Sequence, residues 1–296
     1  MIRLISDSAC DVPADYLKEH NVEIIPLYLT LDGENYEKDK LEADRNAYYD
    51  AMVNHGAFPK SSLPSVDDFY QKFEEAVKAG DSVICITMTN TLSGTFGSAH
   101  TAHEMIMEEY PDAKVAVYDS LQNTVSQGLV VEEMVRMRDD GLTFEEMTAK
   151  MPAVCDAGMI VFTVGSLEYL RKGGRIGKLA VTAAGKLNIR PLLILEHGKL
   201  GIGGISRTRK RSIQDIFSYM EKYLSNHDVN DYIFSVGHGY DKEEADEFRK
   251  AVEEKFGMTL FEHQEGGFEV EIGAVSAVHT GPFALGLGFI KKYELL

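Results

Sequence analysis

The stretch SVICITMTNTLSGTFGSAHTAHEMIMEEYPDAKVAVYDS, residues 82–120, contains one complete strand, helix and strand unit. Residues 82–88 form a short apolar run rich in β-branched side chains, which predicts a buried strand. Within residues 97–109, alanine and isoleucine recur at helical spacing and predict a helix with one buried face. Residues 114–120 predict a second strand. This order is typical of a βαβ unit and therefore of an α/β fold.

The same alternation continues on both sides of this unit. Strand-like runs occupy residues 2–6 and 22–31, and phenylalanines four residues apart predict a helix over residues 65–78. After Met151 and Pro152 the pattern restarts. The later strand-like runs are GMIVFTV, PLLILE, YIFSVGH and FEVEIGAV, and the later helices span residues 212–224 and 242–255.

We therefore predict two α/β domains, residues 1–155 and 156–296. No Gly/Ser linker, tandem repeat or charge block separates them, so we expect the two halves to pack closely. A ligand cleft between two such halves is the default expectation.

Composition excludes several classes of function. The chain has 296 residues, of which 44% are hydrophobic and 26% charged, so it can bury a sizeable core. Its net charge of -17 repels phosphate backbones and anionic lipid headgroups. The longest weakly polar run, residues 274–290, is interrupted by His279, Pro282 and glycines, and is too short to span a bilayer. We expect neither nucleic-acid binding nor stable membrane insertion.

The first residues, MIRLISDSACDVP, and the pattern of cysteines indicate the cellular compartment of the protein. The opening has one arginine and a short apolar run broken at Ser6 and Asp7, unlike a signal peptide, so we expect a cytoplasmic protein. Cys10, Cys85 and Cys155 are far apart and lack C-x-x-C spacing. They predict buried apolar filler and neither a disulfide framework nor a zinc site.

The segment MTNTLSGTF, residues 88–96, turns through Ser93, Gly94 and Thr95 between a strand and a helix. Such a turn presents a hydroxyl and free backbone N–H groups to an anion. The alternative is that Ser93 or Thr91 only caps the helix. The sequence is compatible with both.

Two further segments carry candidate binding groups. Ser61 and Ser62 of KSSLPS precede Pro64 in an extended loop, although serine-rich loops before helices are ordinary, and Ser65 is a candidate helix cap. His279 stands alone as an ionisable side chain in the apolar stretch AVHTGPFALGLGF. It either binds a ligand carboxylate or is a buried neutral histidine satisfied by backbone carbonyls.

Basic residues concentrate in LEYLRKGGRIGK, residues 167–178, and in residues 207–211. A nucleotide-binding P-loop is excluded, because the span from Gly173 to Lys178 is one residue short and Leu179 offers no hydroxyl for magnesium. The basic residues form either a solvated face or a docking surface for an acidic partner.

Seven segments, in this order, resemble the DegV family of bacterial fatty-acid-binding proteins: SDSACDVP, SSLPS, LSGT, YDS, LRKGGRI, LNIRPLL and HTGPFALGLGF. The resemblance runs from end to end. It implies a DegV-like fold of two α/β domains with a lipid-binding tunnel at or near their interface. It also implies a non-catalytic protein with no metal or cofactor, whose ligand is a bound fatty acid such as palmitate, stearate or oleate.

The resemblance also implies the residues that hold the ligand's carboxylate, with a protonated histidine offsetting its charge. These residues are Ser61, Ser62, Ser93, Gly94, Thr95 and His279. Ser61 replaces the family's usual threonine and keeps the hydroxyl. Leu63 replaces a common glutamine and is expected to alter the pocket mouth. Phe283 replaces a small residue and is expected to restrict the shape of the acyl chain.

Characterised family members deliver their fatty acid to a separate kinase, which phosphorylates the carboxyl group for phospholipid synthesis. The resemblance implies that partner here, with Arg175 and Arg207 as docking residues. A lipid-sensing regulatory protein remains open, as does a serine hydrolase acting on a lipid or acyl ester. The hydrolase would use Ser93 and His279 with Asp7 or Asp119, but LSGT is not a G-x-S-x-G nucleophile elbow.

Overall fold

The computed structural model describes residues 1–177, 189–257 and 269–296. The strands in chain order are β1 (Ile2–Asp7), β2 (Val22–Ile25), β3 (Tyr28–Thr30), β4 (Glu37–Lys38), β5 (Lys60–Ser62), β6 (Ser82–Thr87), β7 (Val115–Asp119), β8 (Gly158–Thr163), β9 (Arg190–Glu196), β10 (Lys199–Ser206), β11 (Tyr232–His238), β12 (Glu269–Glu271) and β13 (Leu285–Lys291). The described helices are α1 (Ala14–Glu19), α2 (Glu42–Asn54), α3 (Val66–Lys78), α4 (Thr95–Glu109), α5 (Thr124–Asp139), α6 (Phe144–Ala157), α7 (Glu168–Lys172), α8 (Arg209–Leu224), α9 (Lys242–Phe256) and α10 (Ala274–Thr280).

The βαβ unit predicted from residues 82–120 is present. Strands β6 and β7 are parallel neighbours, with Ile84 opposite Ala116, and α4 connects them. They belong to a four-stranded parallel sheet in the order β2-β1-β6-β7. Helices α3 and α4 cover one face, where Phe69, Phe73 and Ile106 are fully buried. As predicted, Ser65 caps α3, forming a capping box with Asp68.

The prediction of one strand over residues 22–31 is wrong. The run divides at Pro26, which lacks a backbone N–H and so cannot continue a ladder. Strand β2 stays in the parallel sheet, whereas β3 forms a small antiparallel sheet with β4 and β5. Leu29 of β3 lies opposite Ser61, so this small sheet fixes the KSSLPS segment.

The second half of the chain forms a six-stranded sheet in the order β10-β9-β8-β13-β11-β12. Its pairs are antiparallel except for the parallel pair β11 and β12. The strand predicted from FEVEIGAV is short, because the chain turns at Gly273 into α10. The glycine-punctuated stretch that follows His279 becomes the central strand β13, whose Gly286 allows close approach to Phe162.

Helix α5 lies between the two large sheets and is buried along nearly its whole length. It contacts β8, β11 and β13, although it precedes residue 155 in the chain. A Cβ atom at Gly128 would stand 2.6 Å from the carbonyl oxygen of Cys10, so glycine permits this close packing. The domain boundary near residue 155 stays a prediction.

Two further expectations concern the core and the membrane. Cys10, Cys85 and Cys155 are buried and free, which confirms their interpretation as apolar filler. Across the three described ranges, no helix combines the length and the apolar character needed to cross a bilayer.

Candidate functional site

A cavity of about 170 Å³ lies between the six-stranded sheet and the loops at the carboxyl ends of β2 and β6. Most of its wall is apolar, contributed by the sheet, the two loops, α7, α10 and the segment after β5. The apolar side chains are Leu27, Leu63, Met88, Leu92, Ile160, Phe162, Leu170, Leu195, Leu200, Ile272, Val275, Ala284 and Leu285. Gly237 and Gly286 complete the sheet wall. Such a surface suits an alkyl chain.

One end of the cavity is polar. Ser61 Oγ of β5 and His279 Nε2 of α10 lie 2.8 Å apart, within hydrogen-bonding distance. Both residues line the cavity, as do Ser62 and Ser93. The structure therefore brings together four of the residues predicted to hold a carboxylate.

The SDSACDVP segment positions α10 and hence His279. Asp11 Oδ1 accepts a hydrogen bond of 2.9 Å from the backbone N–H of Gly273, immediately before α10. A Cβ atom at Gly273 would lie 2.6 Å from that oxygen, so a larger residue would not fit. Tyr49 donates a hydrogen bond to the adjacent carbonyl of Ile272 at 2.9 Å.

The KGGR turn packs directly against His279. A Cβ atom at Gly173 would stand only 2.3 Å from His279 Nδ1, which explains why glycine follows α7 here. Gly174 has φ +73°, a left-handed conformation that glycine adopts without strain. The turn carries Arg175 to the cavity wall.

Arg175 is partly buried and held by two backbone carbonyls. Its Nε donates to Leu92 O at 3.0 Å and its Nη1 donates to Gly173 O at 2.6 Å. Leu92 directly precedes Ser93, so the guanidinium lies beside the LSGT turn. The docking role predicted for Arg175 stays a prediction, but its position adds a fixed positive charge to the polar end of the cavity.

Within the LSGT turn, Ser93 faces the cavity and the next two residues do not. Ser93 Oγ lies 2.9 Å from Oγ1 of Thr95, which is fully buried. Gly94 is the residue before α4, and no side chain caps this helix, so the capping interpretation of Ser93 is wrong. Gly94 and Thr95 support Ser93 and do not line the cavity.

His279 is neutral near pH 7. Burial is the larger cause and the positive charge of Arg175 the smaller one, and together they lower its pKa to about 4. Its Nδ1 has no hydrogen-bond partner among the described residues. In the absence of a ligand, Arg175 therefore supplies the positive charge at this end of the cavity, and a protonated His279 beside a bound carboxylate stays a prediction.

The carboxylates considered for a serine hydrolase are engaged elsewhere. Asp7 accepts hydrogen bonds from the backbone of Ala9 and Met88 and from the side chain of Gln127. Asp119 accepts hydrogen bonds from the backbone of Asn90 and Leu121. Neither carboxylate orients His279, so the proposed triad does not form.

The remaining predicted positions divide between the cavity and the surface. Leu63 lines the cavity and is 42% exposed, consistent with a place at its mouth. Phe283 does not line the cavity, whereas the next residue, Ala284, does. The expected effect of Phe283 on the shape of the acyl chain is therefore not supported. Arg207 is exposed just after β10. Sequence reasoning missed Asn123, Thr124 and Ser276, which also line the cavity.

The fold and the cavity define an α/β protein with a largely apolar pocket that ends in hydroxyls, a histidine and an arginine. The family described as "Uncharacterised protein, DegV family" matches residues 1–292. The chain belongs to the DegV family.

Relatives and solved structures agree with this assignment. A DegV domain-containing protein of Clostridium perfringens is 30% identical over 291 residues, covering 98% of this chain and 99% of the relative. The structure of a stearic-acid-binding protein from Eubacterium ventriosum matches with TM-score 0.93 and 45% identity, covering 100% of both chains. A fatty-acid-binding DegV family protein from Thermus thermophilus matches with TM-score 0.86 and 27% identity, covering 98% of this chain and 99% of that one.

Proposed function

We propose that this protein binds a long-chain fatty acid, with the acyl chain in the cavity and the carboxylate at its polar end. The observation that carries the proposal is the junction of an apolar enclosure with Ser61, His279 and Arg175. The similar protein from Eubacterium ventriosum binds stearic acid, which makes stearate the first ligand to test.

The apolar wall provides the affinity. Burying about 15 methylenes at about 0.8 kcal/mol each contributes on the order of 12 kcal/mol before the costs of association and ordering are subtracted. A residual affinity in the micromolar range or tighter is therefore attainable.

The polar end offsets the cost of burying the carboxylate, which is high without compensating hydrogen bonds. Arg175 donates hydrogen bonds from Nε and Nη1 to the carbonyls of Leu92 and Gly173. These bonds orient its remaining N–H groups, which can donate to the ligand. When neutral His279 carries its proton on Nε2, it donates to Ser61 Oγ and leaves the Ser61 hydroxyl hydrogen for the ligand. A bound anion would in turn raise the pKa of His279.

The protein then presents the carboxylate to a fatty acid kinase in the cytoplasm and does not itself catalyse a reaction. Arg175 lies at the polar end of the cavity, and Arg207 is exposed on the surface. A kinase with an acidic face would be attracted to these positive charges on an otherwise acidic protein.

Native mass spectrometry of the protein purified from a bacterial host, followed by denaturing extraction, tests the binding function. We expect one fatty acid per chain, released on denaturation and identified by its mass. Absence of a lipid, together with no uptake of added stearate, palmitate or oleate, would reject the proposal.

A further inference from the structure

The cavity has a second polar region besides its carboxylate-binding end. Asn123, Thr124 and Ser276 all line the cavity, and Ser276 Oγ donates to Asn123 Oδ1 at 3.4 Å. A purely alkyl ligand would leave these groups facing methylenes. Ser276 and Asn123 partner each other, but a buried hydroxyl without a partner, such as that of Thr124, is costly, and an oxygen atom on the ligand would remove this cost.

The same region is the amino-terminal end of α5, a 16-residue helix. Asn123 is the residue before the helix, its side chain does not cap the backbone, and no acidic residue occupies the first turn. The first N–H groups of a helix have no partner within the helix. They attract an electronegative atom.

Thr124 independently indicates a ligand atom. The residue is 5% exposed, and its Oγ1 has no hydrogen-bond partner among the described residues. Thr124 also has φ +51°, which is rare for a β-branched residue. The residue lies against the cavity and offers both a donor and an acceptor.

The second region lies about one helical turn from the carboxylate-binding end. Ser276 and His279 both lie on α10, three positions apart. At about 1.5 Å of rise per residue this separation is roughly 4.5 Å along the helix axis. In the binding mode that we infer, an acyl chain anchored beside His279 passes Ser276 and Asn123.

We propose, on the basis of the fatty-acid-binding function proposed above, that the preferred ligand is a hydroxylated fatty acid. The chain hydroxyl binds among Asn123, Thr124, Ser276 and the start of α5. A neutral hydroxyl fits better than a second carboxylate, because Arg175 and His279 are the basic side chains among the described lining residues and both belong to the carboxylate-binding end. A hydroxyl matches the mixed donors and acceptors of this region.

The test compares the dissociation constants of stearic acid and of hydroxystearic acids with the hydroxyl on carbon 3, 6, 10 or 12. We expect one positional isomer to bind about tenfold more tightly than stearic acid, the gain from about one well-made buried hydrogen bond. Thr124→Val removes the hydroxyl at nearly constant shape, and Asn123→Leu removes the amide. Within each variant, the ratio of hydroxystearate affinity to stearate affinity should fall to about twofold or less, whatever the variant does to stearate binding itself.

Ser126→Ala is the matched control. Ser126 lies in the first turn of the same helix and its Oγ also lacks a partner in the described structure, but it does not line the cavity. The hydroxyl preference should persist in this variant. If no isomer binds more tightly than stearic acid, or if the gain survives in both cavity variants, the inference is wrong. Failure of stearic acid itself to bind would instead reject the underlying fatty-acid-binding function.

Discussion

Ser61 Oγ and His279 Nε2 lie 2.8 Å apart although 218 positions separate them in the chain. Strand β5 brings Ser61 from the small antiparallel sheet, and α10 brings His279 from a segment between strands of the six-stranded sheet. The polar end of the cavity therefore forms only when both halves of the chain fold and pack. A substitution in either half of the chain can therefore perturb the geometry of this polar end. So can a substitution in the KGGR turn, which lies against the imidazole of His279.

Gly173→Ala should weaken stearate binding. The added Cβ would stand 2.3 Å from His279 Nδ1 and displace the imidazole from Ser61. We expect an affinity loss of about tenfold, comparable to one buried hydrogen bond. The measurement is stearate titration by fluorescence displacement.

Gly97→Ala is the control for that substitution. Gly97 lies exposed in α4, with nothing within 4 Å of an added Cβ, so this change should stabilise the helix by about 0.5 to 1 kcal/mol. Its stearate affinity should match the wild type. Equal affinities in all three proteins would contradict the role assigned to the Gly173 contact.

Arg175→Met should reduce the affinity for stearic acid by tenfold or more and leave methyl stearate binding unchanged. The guanidinium provides charge at the polar end, and an ester carries no charge for it to stabilise. Arg171→Met serves as the control, because Arg171 is exposed and pairs with a surface carboxylate. Its Nη2 lies 3.8 Å from Glu168 Oε1. An equal loss for acid and ester would show that Arg175 acts through packing alone.

The low pKa of His279 makes stability depend on pH. Burial lowers this pKa from 6.5 to about 4, so between these values the unfolded chain binds a proton that the folded protein does not. Stability consequently rises with pH in this window and is lost as the pH falls from about 6.5 to about 4. Between about pH 6.5 and pH 4, the free energy of unfolding of the wild type should fall by about 2 to 3 kcal/mol more than that of His279→Gln.

Urea unfolding at several pH values measures this difference. Burial raises the pKa of Asp7 to about 6 and that of Asp11 to about 7. The contribution of these two carboxyl groups to stability therefore falls as the pH rises, opposite to that of His279. Both residues are present in wild type and variant, so their effects largely cancel in the comparison. His55→Gln, at an exposed position, should follow the wild type. A constant difference between wild type and His279→Gln across the window would disprove the prediction.

Fluorophosphonate probes should label neither Ser61 nor Ser93. His279 has a lowered pKa and no carboxylate on Nδ1 among the described residues, so it is a poor general base for either hydroxyl. Intact-mass spectrometry after incubation measures the adduct. Stoichiometric labelling that is lost in Ser61→Ala or Ser93→Ala would restore the hydrolase alternative.

If a fatty acid kinase is the partner, as proposed above, Arg207→Glu should slow its phosphorylation of bound fatty acid at least tenfold without changing stearate affinity. Arg207 is exposed and does not line the cavity, so its charge acts on a docking partner and not on the lipid. The assay follows acyl phosphate formation with the kinase of the same organism. Lys222→Glu, on the outer face of α8, is the control and should retain transfer. Unchanged transfer by Arg207→Glu would remove this residue from the docking surface.

Local periodicity predicted much of the fold, and tertiary packing decided the rest. The unit at residues 82–120 and the helix capped by Ser65 follow from short-range patterns. Helix α5 carries no amphipathic signal because it is buried between two sheets on all sides, and β13 is rich in glycine because its neighbours approach closely. Strand periodicity does not reveal either cause.

The candidate site shows the same division. The hydroxyls at Ser61 and Ser93 and the imidazole of His279 were suggested by the family resemblance, and the structure places them at one cavity. The neutral state of His279 depends on its burial and on Arg175, which are properties of the packed structure. Asn123 and Thr124 are ordinary residues at the start of a helix, and only the position of α5 makes them part of the cavity wall.

A crystal structure of the stearate complex tests the central claim most directly. We predict an acyl chain within the cavity lined by Phe162, Leu195 and Ile272, with its carboxylate within hydrogen-bonding distance of Ser61 and Arg175. A stearate bound outside this cavity, or one whose carboxylate lies at Asn123 with its methyl end against His279, would contradict the account.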